Sequence, residues 1–217
     1  MPTPEDLTSG LAVQPSLFGD AEPGLDATLH GLVRHDLDDR SWVDHCPGWV
    51  GGDDLLFAAL QEHAPWRHRQ RRMWDQTVEE PRLVAVYDDL AALPPTLARA
   101  RALLAARYGA PLDSCLVNLY RDGRDSVAWH GDTVRHRLPL AVVVTVSLGA
   151  RRAFHVRPRG GGATVLTLHP GQGDLVVMGG RMQHEWEHTV PKTTRAVGPR
   201  MSVTMRHSRP LGAPQPG

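Results

Sequence analysis

From Cys115 to His207 the chain is written in short β-rich runs: CLVNLYR, AVVVTVSLG, AFHVRP, ATVLTL, DLVVMG and RMSVTMRH. Gly/Pro/Asp turns such as RDGRD, RPRGGG and HPGQGD separate them. Short strands at this spacing, with turn residues between them, read as all-β architecture. They predict a mainly β protein, a sandwich or jelly roll, with flanking helices. Helical signals lie upstream, over 53–63 with Asp53 as a plausible cap, and over 95–108. In the second, Leu97, Ala100, Arg101 and Leu104 mark one face and Gly109 supplies the stop.

The β-rich half carries His130 and Asp132, followed much later by His188. Two imidazoles and one carboxylate are the donor set that holds Fe(II) on one side and leaves positions open for a chelating cosubstrate and O₂. Residues two apart on a strand or its fraying end share a side, so His130 and Asp132 reach one ion while Gly131 faces away. His184 shares the parity of Trp186 and His188 and competes as third ligand.

A second pattern accompanies the first. On the strand at 200–206, alternation places Arg200, Ser202, Thr204 and Arg206 on one face and Val203 and Met205 on the other. An inward face with two guanidiniums requires an anion, because unpaired buried charge is prohibitively costly. Asn118 and Tyr120 likewise share a face. These six side chains offer a clamp and neutral hydrogen bonds suited to a small dicarboxylate beside the metal.

Length and composition bound the rest. The 217 residues suffice for one well-buried domain. No apolar run approaches the roughly 18 residues of a membrane span. The acidic start, MPTPEDLTSG, lacks the features of a signal peptide, so a cytoplasmic location is expected. Cys46 and Cys115 have no CxxC spacing and read as core fillers. The zero net charge is unevenly distributed: residues 1–65 hold 12 acidic and 2 basic side chains, leaving 22 basic and 12 acidic in the remainder. Lys192 is the only lysine, and an Arg-rich surface suits phosphate. Arg67, Arg69, Arg71, Arg72, Arg151 and Arg152 are the candidate phosphate contacts.

The runs NLYRDGRDSVAWHGD, TVSLGARRAF, DLVVMGGRMQHEWEHTVP and PRMSVTMR, in this order, resemble the AlkB-type iron and 2-oxoglutarate dioxygenases that repair alkylated nucleobases. The resemblance spans about residues 66–207. It implies a double-stranded β-helix (jelly roll) with a core at about 115–207 and a nucleotide-recognition lid at about 66–90, within a single domain over 28–217. It also implies that His130, Asp132 and His188 bind Fe(II), since Trp186 and Val190-Pro191 flank His188 as the family motif requires. Asn118, Tyr120, Arg200, Ser202, Thr204 and Arg206 would hold 2-oxoglutarate, Arg206 gripping the distal carboxylate and Arg200 near the catalytic end. Trp66, Met73, Trp74 and Tyr87 fall in the lid segment, with Tyr87 and the His130 ring as the expected sandwich for a base taken out of the stack. Arg152 would join them in holding substrate.

The sequence departs from the family at three places. Ser202 and Met205 stand where Asn and Phe are usual, and Val134 stands where bacterial members carry an acidic residue against the damaged base. The activity implied is oxidative removal of small N-alkyl groups, as from 1-methyladenine and 3-methylcytosine in DNA. Fold and triad also admit RNA, protein or small-molecule substrates, or a nucleic-acid-binding module without catalysis. A monomer is expected. Residues 1–27 read as a mobile leader, in which Gln14, Ser16, Leu17 and Phe18 resemble the short peptides that dock bacterial repair proteins on the sliding clamp.

Overall fold

The computed structural model describes residues 23–73, 76–134 and 140–207, with backbone alone over 71–73 and 76–79. Its elements in chain order are β1 (Gly24–Leu25), β2 (Val33–Asp38), β3 (Ser41–Cys46), β4 (Val50–Gly51), α1 (Asp53–His63), β5 (Trp66–Met73), β6 (Gln76–Tyr87), α2 (Pro95–Tyr108), β7 (Ser114–Tyr120) and β8 (Val127–His130). They continue with β9 (Val143–Gly149), β10 (Phe154–Pro158), β11 (Leu166–Leu168), β12 (Asp174–Gly180), α3 (Met182–Glu185), β13 (Trp186–Val190) and β14 (Arg200–Arg206). An eight-stranded sheet runs β2-β3-β12-β9-β14-β7-β6-β5, and a four-stranded sheet runs β11-β10-β13-β8. All described pairings are antiparallel.

The period-two alternation of the large sheet decides where the site lies. Val117, Leu119, Val146, Leu148, Val177, Val203 and Met205 pack with Phe57, Leu60, Leu97 and Leu104 of the two long helices. The opposite parity turns Val143, Val176 and Met178 toward Phe154, Val156 and Trp186 of the small sheet. One face is therefore sealed by helices, while the other forms the inside of a jelly roll. Each fully buried Leu stabilises this arrangement by about 1.5–3 kcal/mol.

α2 has the bounds its pattern predicts, with Leu97, Ala100 and Leu104 buried and Gly109 closing it in the left-handed conformation at φ 61°. Arg101 on the same side reaches the Leu112 carbonyl. The N-terminus of α1 differs from expectation. Gly52 is the capping position and Asp53 lies within the first turn, its carboxylate accepting the Gly149 N–H at 3.1 Å. This acidic side chain thus ties the helix to the end of β9.

The folded unit also starts before residue 28. β1 pairs with β4, the Trp49 indole donates to the Asp26 carbonyl at 2.9 Å, and the Asp26 carboxylate accepts the N–H groups of Thr28 and His30. Residues 23–27 are therefore part of the domain. Gln14, Ser16, Leu17 and Phe18 lie outside the described residues. Among the described residues, no helix is long and apolar enough to cross a membrane.

Candidate metal and cosubstrate site

β8 and β13 are neighbours in the small sheet, and their register sets His130 opposite His188. β8 ends at His130, so Asp132 enters from the turn beyond it rather than from the strand itself. Ligand atoms of His130, Asp132 and His188 all lie within 4.8 Å of one another. His188 Nε2 is 3.6 Å from Asp132 Oδ2, and the two imidazole centroids are 4.3 Å apart. His130 Nδ1 faces the Ala128 carbonyl at 2.8 Å, a contact satisfied only by an N–H, which leaves Nε2 as the lone-pair nitrogen. Phe154 packs on the other side of His188.

Electrostatics suit a cation here. Burial, reinforced by His130, pushes the His188 pKa down to about 3, so the ring is neutral and able to donate its lone pair. Burial of Asp132 alone would raise its pKa, but its interactions with His188, Arg206 and His130 lower it overall. His184 lies on the single turn of α3, not on a strand, and is not in the cluster. The parity that made it a rival is absent from the fold.

A cavity of about 770 Å³ opens beside the triad. Asn118, Tyr120, Arg200, Ser202, Thr204 and Arg206 all line it, as the alternation of β7 and β14 requires. Arg200 is 1% exposed, and its Nη2 donates to Ser147 Oγ at 2.7 Å, while Nε and Nη1 have no hydrogen-bond partner among the described residues. The Nε of Arg206 is also buried and unpartnered among them. Buried guanidinium groups with unpaired donors require an anion, and a carboxylate offers matching paired acceptors.

The order of the two arginines reverses the expected one. Arg206 Nη1 lies 3.5 Å from Asp132 Oδ1, so Arg206 stands at the metal end. Arg200, about 20 Å back along the strand, lies over Tyr120 at the far end. Of the two guanidiniums, only that of Arg206 is at the ligand cluster, and that of Arg200 is at the opposite end of the cavity. Asn118 donates to Ser202 Oγ at 3.4 Å, and Thr204 Oγ1 meets Thr145 Oγ1 at 3.3 Å.

Three expected substrate contacts are structural instead. Trp66 is 5% exposed, with its indole N–H on the Leu60 and Gln61 carbonyls, because β5 begins directly under α1. Tyr87 sits in the helix-side core, and burial pushes its phenol up to about 12. It cannot sandwich a base against His130. Arg152 is 3% exposed and donates to the carbonyls of Asp122, Asp125 and Pro191, cross-linking two loops rather than facing phosphate. Arg151 is held by Gln172, His169 and Asp174.

Arg67 and Arg69 are exposed on β5, and Arg69 reaches the cavity. The side chains of Arg71, Arg72, Met73 and Trp74 lie outside the described residues. The cavity also includes Trp129, Arg82 and Lys192, which the sequence reading did not place there. Trp129 was visible as the aromatic adjoining a ligand. Arg82 was not: its guanidinium pairs with Glu80 and donates to Asn118 Oδ1 at 2.9 Å, a meeting made by the β6–β7 pairing. Val134 is buried against the inner core, in keeping with its apolar character.

The 2OG-Fe(II) oxygenase superfamily model matches residues 56–209. Alpha-ketoglutarate-dependent dioxygenase alkB homolog 3 of Bos taurus and of Homo sapiens are each 30% identical over 192 residues, covering 77% of this chain and 67% of theirs. The chain belongs to the AlkB family. DNA oxidative demethylase ALKBH2 of Mus musculus is 29% identical over 164 residues, covering 70% of this chain and 68% of the relative. Among solved structures, that of OsALKBH1 superposes with a TM-score of 0.57 at 13% identity, covering 81% of this chain and all of the other, which speaks to fold alone. As an AlkB-family member the protein is an Fe(II)- and 2-oxoglutarate-dependent dioxygenase acting on alkylated nucleic acid. Its imidazole–carboxylate cluster and its buried guanidinium donors fit those two groups.

Proposed function

We propose that the protein removes small N-alkyl groups from bases such as 1-methyladenine and 3-methylcytosine in DNA. His130, Asp132 and His188 hold Fe(II), while Asn118, Tyr120, Arg200, Ser202, Thr204 and Arg206 hold 2-oxoglutarate. The observation that carries this reading is the junction of triad and unpaired buried guanidinium donors in one cavity. Held by these residues, Fe(II) and 2-oxoglutarate would supply oxidative chemistry in which one atom of O₂ hydroxylates the alkyl carbon, which then leaves as an aldehyde, while the other atom enters the succinate formed from 2-oxoglutarate with loss of CO₂.

The chain's own residues supply position. Arg200 anchors the far end of the cosubstrate, Arg206 steadies Asp132, and the neutral His188 keeps its lone pair available. Phe154 stacks on the His188 ring and supports its orientation. Arg69 and Lys192 at the cavity offer positive charge to a phosphate backbone, and Trp129 adds an aromatic ring to the lining, with Arg157 over one of its faces. DNA is favoured over RNA by the likeness to the DNA oxidative demethylases.

The test is release of succinate and aldehyde from matched DNA and RNA oligonucleotides bearing one methylated base. Faster turnover on DNA is expected. Equal or faster turnover on RNA would overturn the DNA assignment, and no turnover on either would overturn the substrate class. Docking of Gln14, Ser16, Leu17 and Phe18 on a sliding clamp rests on those residues alone. It predicts calorimetric binding of purified clamp that a Leu17→Ala, Phe18→Ala variant loses.

A further inference from the structure

The glycine between the first two ligands has no spare room. A Cβ added to Gly131 would lie 2.6 Å from the Gln183 carbonyl oxygen and 2.5 Å from Arg159 Nη2. The turn carrying Asp132 is thus pressed against the short helix α3. Gln183 on that helix is 2% exposed, and its side-chain Oε1 accepts the Asp132 main-chain N–H at 2.7 Å. The amide cannot be reversed without setting an NH₂ against an N–H. Its Nε2 donates instead to Met178 Sδ at 3.4 Å, from the strand that leads into α3.

α3 is anchored in turn. The Met182 carbonyl of this four-residue helix accepts the Trp186 N–H, and Arg159 satisfies the next two carbonyls. Its Nη2 donates to the Gln183 carbonyl at 2.8 Å and its Nε to the His184 carbonyl at 2.7 Å. Met182, next to Gln183, is fully buried in the inner core. β13 begins directly after α3 and carries His188. One amide side chain therefore links the segment that holds Asp132 to the segment that holds His188.

We infer that Gln183 is a positioning residue of the metal site: its side-chain carbonyl fixes the Asp132 main chain so that the carboxylate faces His188. The inference rests on His130, Asp132 and His188 being the metal ligands. Gln183 is outside the ligand cluster and the cavity lining, and it acts on the direction in which Asp132 presents its oxygens. Gly131 belongs to the same device, since any larger residue there would push the turn away from the amide.

The experiment uses the full chain and Co(II) as probe, with binding followed by visible absorption and by calorimetry. The wild-type protein and His188→Ala test the ligand assignment itself, which fails if both bind Co(II) alike. Given that control, Gln183→Leu is expected to weaken Co(II) binding by roughly 10- to 100-fold and to alter the absorption bands. Gln183→Glu retains an acceptor oxygen and is expected to recover both affinity and spectrum to near wild type. Gly131→Ala, which keeps the amide, is expected to weaken binding as well, and it decides the matter if Gln183→Leu does not fold. Wild-type affinity and spectrum in Gln183→Leu or in Gly131→Ala would overturn the proposal, as would a Gln183→Glu protein no better than Gln183→Leu.

Discussion

Arg206 Nη1 lies 3.5 Å from Asp132 Oδ1, so the last basic side chain of β14 belongs to the metal end of the cavity. Arg200, on the same face of the same strand, meets Ser147 and the Tyr120 ring at the other end. Two arginines that look equivalent in sequence therefore have different tasks.

Arg200→Lys should raise the KM for 2-oxoglutarate by roughly 10- to 100-fold, the equivalent of about 1.5–3 kcal/mol for a charged hydrogen-bonded contact. A lysine keeps the charge but loses the planar fork. Arg206→Lys should leave that KM closer to wild type and depress kcat instead. Succinate formation against 2-oxoglutarate concentration checks both, and the opposite ranking would restore Arg206 as the distal anchor.

His188→Ala should abolish turnover and bound iron together in a protein that still folds, because it removes one of three protein ligands. His184→Ala should keep both, since its side chain lies on α3 outside the ligand cluster. Metal content by elemental analysis, read beside activity, separates the two histidines.

Acid stability should depend on Asp174. It is fully buried and accepts the N–H groups of Gly48 and Gly171 and the Arg151 guanidinium. Burial alone would raise its pKa, but His45, these backbone donors and Arg151 lower it. A depressed folded pKa contributes stability above the unfolded value of about 3.9, and this is lost as pH falls through the folded value. Asp174→Asn should therefore cost about 1–3 kcal/mol at neutral pH, with the gap from wild type closing below about pH 4. Thermal melts across a range from neutral to acid pH test this, and a pH-independent gap would rule out charge as its origin.

Binding to methylated oligonucleotides should weaken steeply with salt. Replacing Arg67 and Arg69 by Ala should flatten the log–log slope by up to about one unit for each of the two that neutralises a phosphate. Fluorescence anisotropy at several salt concentrations measures the slope. An unchanged slope would move the backbone contacts away from β5.

Strands β7, β9 to β12 and β14, the two long helices and the ligand types are legible in the amino-acid order alone, because each rests on local rules. Alternation along 200–206 puts Arg200, Ser202, Thr204 and Arg206 on one face, and the turn residues between runs set the β class. What depends on partners distant in the chain is settled only by packing. Trp66 and Tyr87 resemble surfaces for a base, yet both are buried in the core beneath α1 and α2. Arg152 resembles a phosphate contact, yet three loop carbonyls claim it. The order of Arg200 and Arg206 relative to the metal depends on which end of β14 meets the turn after β8, and no local pattern encodes that. The grip of Gln183 on Asp132 joins residues 51 apart. Periodicity fixes the face a side chain takes, but only the packing of one sheet against the other fixes what that face meets.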